Sequence, residues 1–177
     1  METAANTFLH FYQNTTIVGG LLGGLAGVEL TKILIGEKHS SGDIFTYPLI
    51  LAMIIGRMGC FSMGIYENTF GVATNSIFGT DLGDGIKRHP VALYEIAFLL
   101  LTWIGLKWIS NKQVLADGGK FKLFMIFYLI FRLLLDFIKP HFTFSIGLST
   151  IQIACAAGLI YYSWFIINYK KIFSTYT

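Results

Sequence analysis

Residues 15–36 read TTIVGGLLGGLAGVELTKILIG, twenty-two positions whose only charges, Glu29 and Lys32, fall near one end. A helix needs about 20 mostly apolar residues to cross the hydrocarbon core of a bilayer, so this stretch reads as a spanning helix. Working outward, four further stretches qualify, at about 44–64, 90–110, 121–139 and 146–167. Short loops join them. The fold expected is therefore all-α, a polytopic integral membrane bundle of about five transmembrane helices, with residues 1–177 as a single membrane domain.

Composition points the same way. Of the residues, 54% are hydrophobic and only 13% charged, with a mean hydropathy of +0.63, which excludes an ordinary soluble domain. Sixteen Phe, nine Tyr and three Trp argue against a disordered chain. Most of the 13 Lys and Arg stand scattered at the ends of apolar stretches. The net charge of +3 thus suits lipid headgroups, and no basic stripe exists to bind nucleic acid. Cys60 and Cys155 lie inside apolar runs and offer neither a disulfide framework nor a zinc spacing. No GxSxG elbow, HExxH pair or Walker loop occurs, and no cofactor is expected.

Gly20 and Gly24, like Gly23 and Gly27, are four residues apart and give the first span a nearly bare face. That face is expected to pack closely on a neighbouring helix. Glu29 and Lys32 are spaced to pair with one another. The first 15 residues lack the charged start and apolar core of a signal peptide, so Met1 is expected to begin the mature chain. With five spans, three basic residues (Lys87, Arg88, Lys139) fall on one side and seven (Lys38, Lys107, Lys112, Lys120, Lys122, Lys170, Lys171) on the other. The positive-inside rule makes the second side cytoplasmic, with the N-terminus out, the C-terminus in and the Tyr66–Arg88 loop outside the cytoplasmic (inner) membrane.

Ionisable side chains inside apolar spans are costly and so are functional candidates. Arg57 lies two-thirds along the second span in GRMGCF (56–61), flanked by Gly56 and Gly59, which would let a headgroup or another backbone approach the guanidinium. In FRLLLDF (131–137), Arg132 and Asp136 are one turn apart, either as an intrahelical ion pair or with Asp136 aiming Arg132 at an anion. Two guanidiniums facing one cavity open to the outer leaflet would suit a lipid phosphate. KRHPVALYE (87–95) places Pro90 in the first turn of the third span, with His89 near its N-cap and Tyr94 and Glu95 a turn on. The preceding TDLGDGIK (80–87) reads as a tight turn and lacks the spacing of a calcium loop.

These stretches, in order, resemble the prolipoprotein diacylglyceryl transferases. IVGGLLGGLAGV is similar to the glycine-rich helix of that family, GRMGCF to its GRxGNF, RHPVALYE to its RHPxQLYE, and FRLLLDF with GLSTIQI to its FRxxxEF and GxSxGQ. The resemblance implies seven spans with the same sidedness. It also implies transfer of a diacylglyceryl group from a phosphatidylglycerol-type lipid to the thiol of a lipoprotein cysteine or another acceptor. Arg57 and Arg132 would bind the lipid phosphate, with Asp136 in the place of the family's glutamate and Gly56, Gly59 and Cys60 beside them. The departures are Val18 where the family has histidine, Cys60 for asparagine and Ile65 for glutamate. A three-residue insertion near 66–70 would move the glutamate and glycine places to Glu67 and Gly71. The family's first two spans have no counterpart here.

With Val18 unable to move protons, His89 becomes the candidate general base, since an unperturbed imidazole has a pKa of about 6.5. Tyr94, Glu95 and Glu67 stand next in line. Cys60 beside Arg57 reads either as an activated thiol or as a small buried filler. The competing class is a non-catalytic membrane subunit that binds an anionic lipid or a partner protein. A transporter finds little support in five spans without an inverted repeat.

Overall fold

The structure is a computed structural model that describes residues 17–37, 39–40, 42–66, 70–139 and 149–168. Among the described residues there are five α-helices: α1 (Ile17–Ile35), α2 (Gly42–Ser62), α3 (Val91–Lys112), α4 (Gly119–Asp136) and α5 (Thr150–Ile167). Their ends lie within a few residues of the expected spans. By length and composition, α1, α2 and α3 can each cross a membrane, and the apolar run of α5 is slightly shorter. α4 carries Lys120, Lys122, Arg132 and Asp136 among its 18 residues, so its charges rather than its length set it apart.

α4 is the centre of the bundle, packed against α2, α3 and α5, while α2 also lies along α3. Buried side chains from these helices, including Ile50, Leu99, Leu106, Phe124, Tyr128 and Leu129, form the core. Phe98 and Phe131 stack across α3 and α4 with ring centroids 3.9 Å apart. The helices run alternately up and down. At one end the backbone N–H of Phe121 donates to Asp43 Oδ1 (3.1 Å), tying the start of α4 to the start of α2. That bond satisfies one of the donors a helix start leaves over. At the other end the N–H of Val72 donates to the carbonyl of Ile138 (2.9 Å), tying the α2–α3 connection to the end of α4.

That connection begins with a 3-10 turn at Gly64–Tyr66 and forms a two-stranded antiparallel hairpin, β1 (Thr80–Asp81) with β2 (Lys87–Arg88). Its turn is the tight one expected: Asp81 Oδ1 accepts from the N–H groups of Gly83, Asp84 and Gly85. Arg88 pairs with Asp84 and holds its carboxyl below the ordinary carboxylate range. Gly64 is required by its φ of +61°, and a Cβ there would lie 2.6 Å from the carbonyl oxygen of Leu82.

The expected close packing on the glycine face of α1 is not found. A Cβ added at Gly20, Gly23, Gly24 or Gly27 would meet nothing within 4 Å, and Val18 is the one buried residue of the helix. Small residues permit close approach without supplying attraction. The close approach is made instead by Gly158 on α5, where a Cβ would fall 2.8 Å from Leu129 and 3.1 Å from Leu22 of α1. Glu29 and Lys32 do pair, at 3.6 Å.

Candidate functional site

The buried face of α2 runs Thr46, Ile50, Met53, Ile54, Arg57. That spacing of threes and fours turns Arg57 inward on the apolar stripe. Gly56 and Gly59 consequently face outward into open space, and no backbone approaches them. On α3 the same periodicity buries Ala92, Glu95, Leu99, Thr102 and Leu106. On α4 it buries Tyr128, Arg132 and Asp136. Three charged side chains from three helices are thereby aimed at one level of the core.

They meet on Glu95, which is 0% exposed. Arg57 Nε lies 2.9 Å from Glu95 Oε2, and Arg132 Nη1 donates to the same oxygen at 3.1 Å. Tyr128 donates its hydroxyl to Glu95 Oε1 at 2.8 Å, so both carboxylate oxygens are engaged. The Nε–H groups of Arg57 and Arg132 have no well-aligned acceptor among the described residues; for Arg57 the contact is an ion pair of poor hydrogen-bond geometry. Lys139 and Asp136 lie close enough to act on this cluster electrostatically. Among the described residues the cluster thus gathers Arg57, Arg132 and Lys139 around Glu95 and Asp136.

Of the two readings of Arg132 and Asp136, the intrahelical ion pair does not form: Arg132 turns to α3, and Asp136 accepts a short hydrogen bond from the Ser149 hydroxyl. Ser149 is the N-cap of α5. It accepts from the N–H of Gln152 (3.1 Å), whose side-chain oxygen accepts from the N–H of Ser149 (3.0 Å). This capping box sets the positive end of the α5 dipole beside the Asp136 carboxylate. Sequence spacing offered a local partner one turn away, but a carboxylate buried in a shared core gives a guanidinium a better one.

The arginines converge, yet on a carboxylate rather than on an open cavity: they are 5% and 3% exposed. Cys60 Sγ lies 3.9 Å from Arg57 Nη1 and is half-buried. Beside it is a gap of about 10 Å³ bounded by Phe61, Phe70, Leu82 and Pro90, room for no more than a water.

Near the start of α3, Pro90 occupies the N-cap position, and the His89 ring does not cap the helix. His89 Nδ1 instead lies 2.9 Å from the Tyr94 hydroxyl. The His89 backbone is held by Gly71 and Val72, and a Cβ at Gly71 would lie 2.7 Å from His89 Cβ. Glu67 lies outside the described residues. Sequence reasoning ranked Glu95 behind His89 and missed Tyr128, Ser149 and Gln152. A carboxylate on the buried stripe of an apolar helix was itself the missed signal, because it must find a cation.

The family model for prolipoprotein diacylglyceryl transferase matches residues 10–168. Among curated proteins, the phosphatidylglycerol–prolipoprotein diacylglyceryl transferase of Bordetella parapertussis is 32% identical over 148 residues, covering 80% of this chain and 53% of the relative. Those of Dehalococcoides mccartyi (26% over 155 residues; 84% and 57%) and Finegoldia magna (28% over 160 residues; 86% and 63%) are also similar. The chain therefore spans 53–63% of the length of these relatives. No solved structure matches.

Proposed function

Because the chain belongs to the prolipoprotein diacylglyceryl transferase family, we propose that it moves a diacylglyceryl group from a phosphatidylglycerol-type lipid to a thiol acceptor such as a prolipoprotein cysteine. The observation that carries this reading is the convergence of Arg57 and Arg132 on one carboxylate oxygen, with the buried Nε–H of Arg132 lacking an acceptor among the described residues. Two guanidiniums that share one carboxylate suit one phosphodiester. In the reaction the acceptor sulfur bonds to the glycerol carbon that carried the phosphate. The C–O bond breaks, its electron pair goes to the phosphate oxygen, and glycerol phosphate leaves. The guanidiniums stabilise the charge growing on that phosphate, the kind of task for which preorganised donors are most effective. Glu95 holds both arginines in place until the lipid arrives, and Tyr128 fixes Glu95. His89, oriented by Tyr94, takes the thiol proton.

The test is direct. Protein in nanodiscs of phosphatidylcholine and phosphatidylglycerol is given a cysteine peptide, and mass spectrometry follows the diacylglyceryl thioether and free glycerol phosphate. Turnover is expected to need phosphatidylglycerol. His89→Gln is expected to slow it about 100-fold and to flatten its pH profile between about pH 6 and 8. A wild-type profile in that variant would remove His89 from the mechanism. Val18, buried and apolar where the family's histidine is expected, favours the second reading, a lipid-binding membrane subunit. Retention of phosphatidylglycerol with no thioether formed would establish it.

The reaction is proposed for the outer face of the cytoplasmic membrane. Cysteine placed at Asn75, exposed in the α2–α3 connection, is expected to react with an impermeant reagent added to intact cells, whereas cysteine at Asp117 in the α3–α4 turn is not. The reverse labelling would put the arginine cluster on the cytoplasmic side.

A further inference from the structure

The end of the bundle opposite the arginine cluster holds a cavity that the proposed reaction does not use. It has about 220 Å³ of space and is lined by Ser40, Lys32, Lys122, Glu29, Tyr161 and Phe165. Its two ammonium groups are loosely held. Lys32 is 3.6 Å from Glu29, and Lys122 reaches the carbonyl of Asp117 at 3.4 Å while sitting 4.4 Å over the Phe165 ring. Of the charged residues that line it, two are cations and one is a carboxylate.

This polar cavity continues through Leu25, Ser40 and Phe121 into an apolar cleft of about 330 Å³ between α1 and α2. Gly20 and Gly24 form one wall, and Phe45 and Leu49 the other. From Gly20 to Lys32 the cleft follows α1 for about 18 Å at 1.5 Å per residue. Half of a hydrocarbon core about 30 Å thick is close to that length. A charged pocket opening into an apolar slot one leaflet deep has the shape and polarity of a phospholipid.

We propose that this cleft binds one anionic phospholipid of the leaflet opposite the arginine cluster. Its phosphodiester lies between Lys32 and Lys122, and one acyl chain runs along the glycine face of α1. The chain would supply the contact that no described helix makes there and would join α1 to α2. The proposal is independent of the transferase reading.

Phosphatidylglycerol with a photoactivatable group midway along one acyl chain, or phosphatidylcholine with the same group, is placed at low fraction in phosphatidylcholine nanodiscs. After irradiation, adducts are mapped by mass spectrometry. Peptides spanning 20–28 and 44–49 are expected to favour the phosphatidylglycerol probe about fivefold, the factor for one excess cationic charge near the headgroups. Lys32→Gln with Lys122→Gln should abolish that preference, and the Lys→Arg pair should keep it, which separates lost charge from lost folding. Gly24→Leu, pointing into open space, should block labelling of α2 without disturbing the bundle. Added inorganic phosphate should leave the preference intact, since the acyl chain anchors the ligand. Equal labelling by both probes, a preference surviving the Lys→Gln pair, or no adduct in 20–28 and 44–49 with either probe would overturn the proposal.

Discussion

Glu95→Gln is expected to destabilise the bundle by about 3–5 kcal/mol, the usual cost of removing one partner from a buried ion cluster. Gln keeps the volume and can still accept from Tyr128, so packing is nearly unchanged. What is lost is the charge that neutralises Arg57 and Arg132, both almost wholly buried. Unfolding in mixed micelles, titrated with denaturing detergent, measures the loss. The variant also tests the lipid reading. If the guanidiniums take a phosphodiester, phosphatidylglycerol should restore Glu95→Gln by more than it stabilises the natural protein, and phosphatidylcholine should not. A loss under about 1 kcal/mol would mean that the arginines do not depend on Glu95.

Arg57→Lys and Arg132→Lys are each expected to lower turnover about 100- to 1000-fold. Lysine keeps the charge but not the planar fork, and in the core it cannot both satisfy Glu95 and present a second donor to phosphate. The loss should fall on kcat more than on KM, because the donors matter most when charge accumulates on the leaving group. The double variant should cost much less than the product of the two, since both act on one phosphate. Turnover measured across a range of phosphatidylglycerol fractions separates these quantities. An effect confined to KM would reduce the arginines to lipid binding alone.

The helices were legible because apolar runs of about 20 residues leave few alternatives in a bilayer, and Arg57 and Arg132 were legible because charge in such runs is expensive. Their connection was not. The i to i+4 spacing of Arg132 and Asp136 is visible in one dimension, whereas the Arg132–Glu95 bond exists only once α3 and α4 are packed. Ser149 likewise reads as one more small polar residue until α5 begins at it and Asp136 accepts from it. The glycines of α1 misled for the opposite reason. A bare face states what could come close but not whether anything does.

The cluster drawn from α2, α3 and α4 also bears on the order in which the chain enters the membrane. A lone arginine or carboxylate at the middle of a spanning helix costs about 2.5–3.5 kcal/mol to insert. α2 emerges from the ribosome bearing Arg57, α3 follows with Glu95, and α4 comes last with Arg132. Glu95 neutralises Arg57, and Arg132 then shares the same carboxylate. Insertion of α2 and α3 as a pair is then cheaper than insertion of either one singly, and the arrival of α4 commits the three to one arrangement. The charges that mark the site thus also give the growing chain a reason to wait for its next helix.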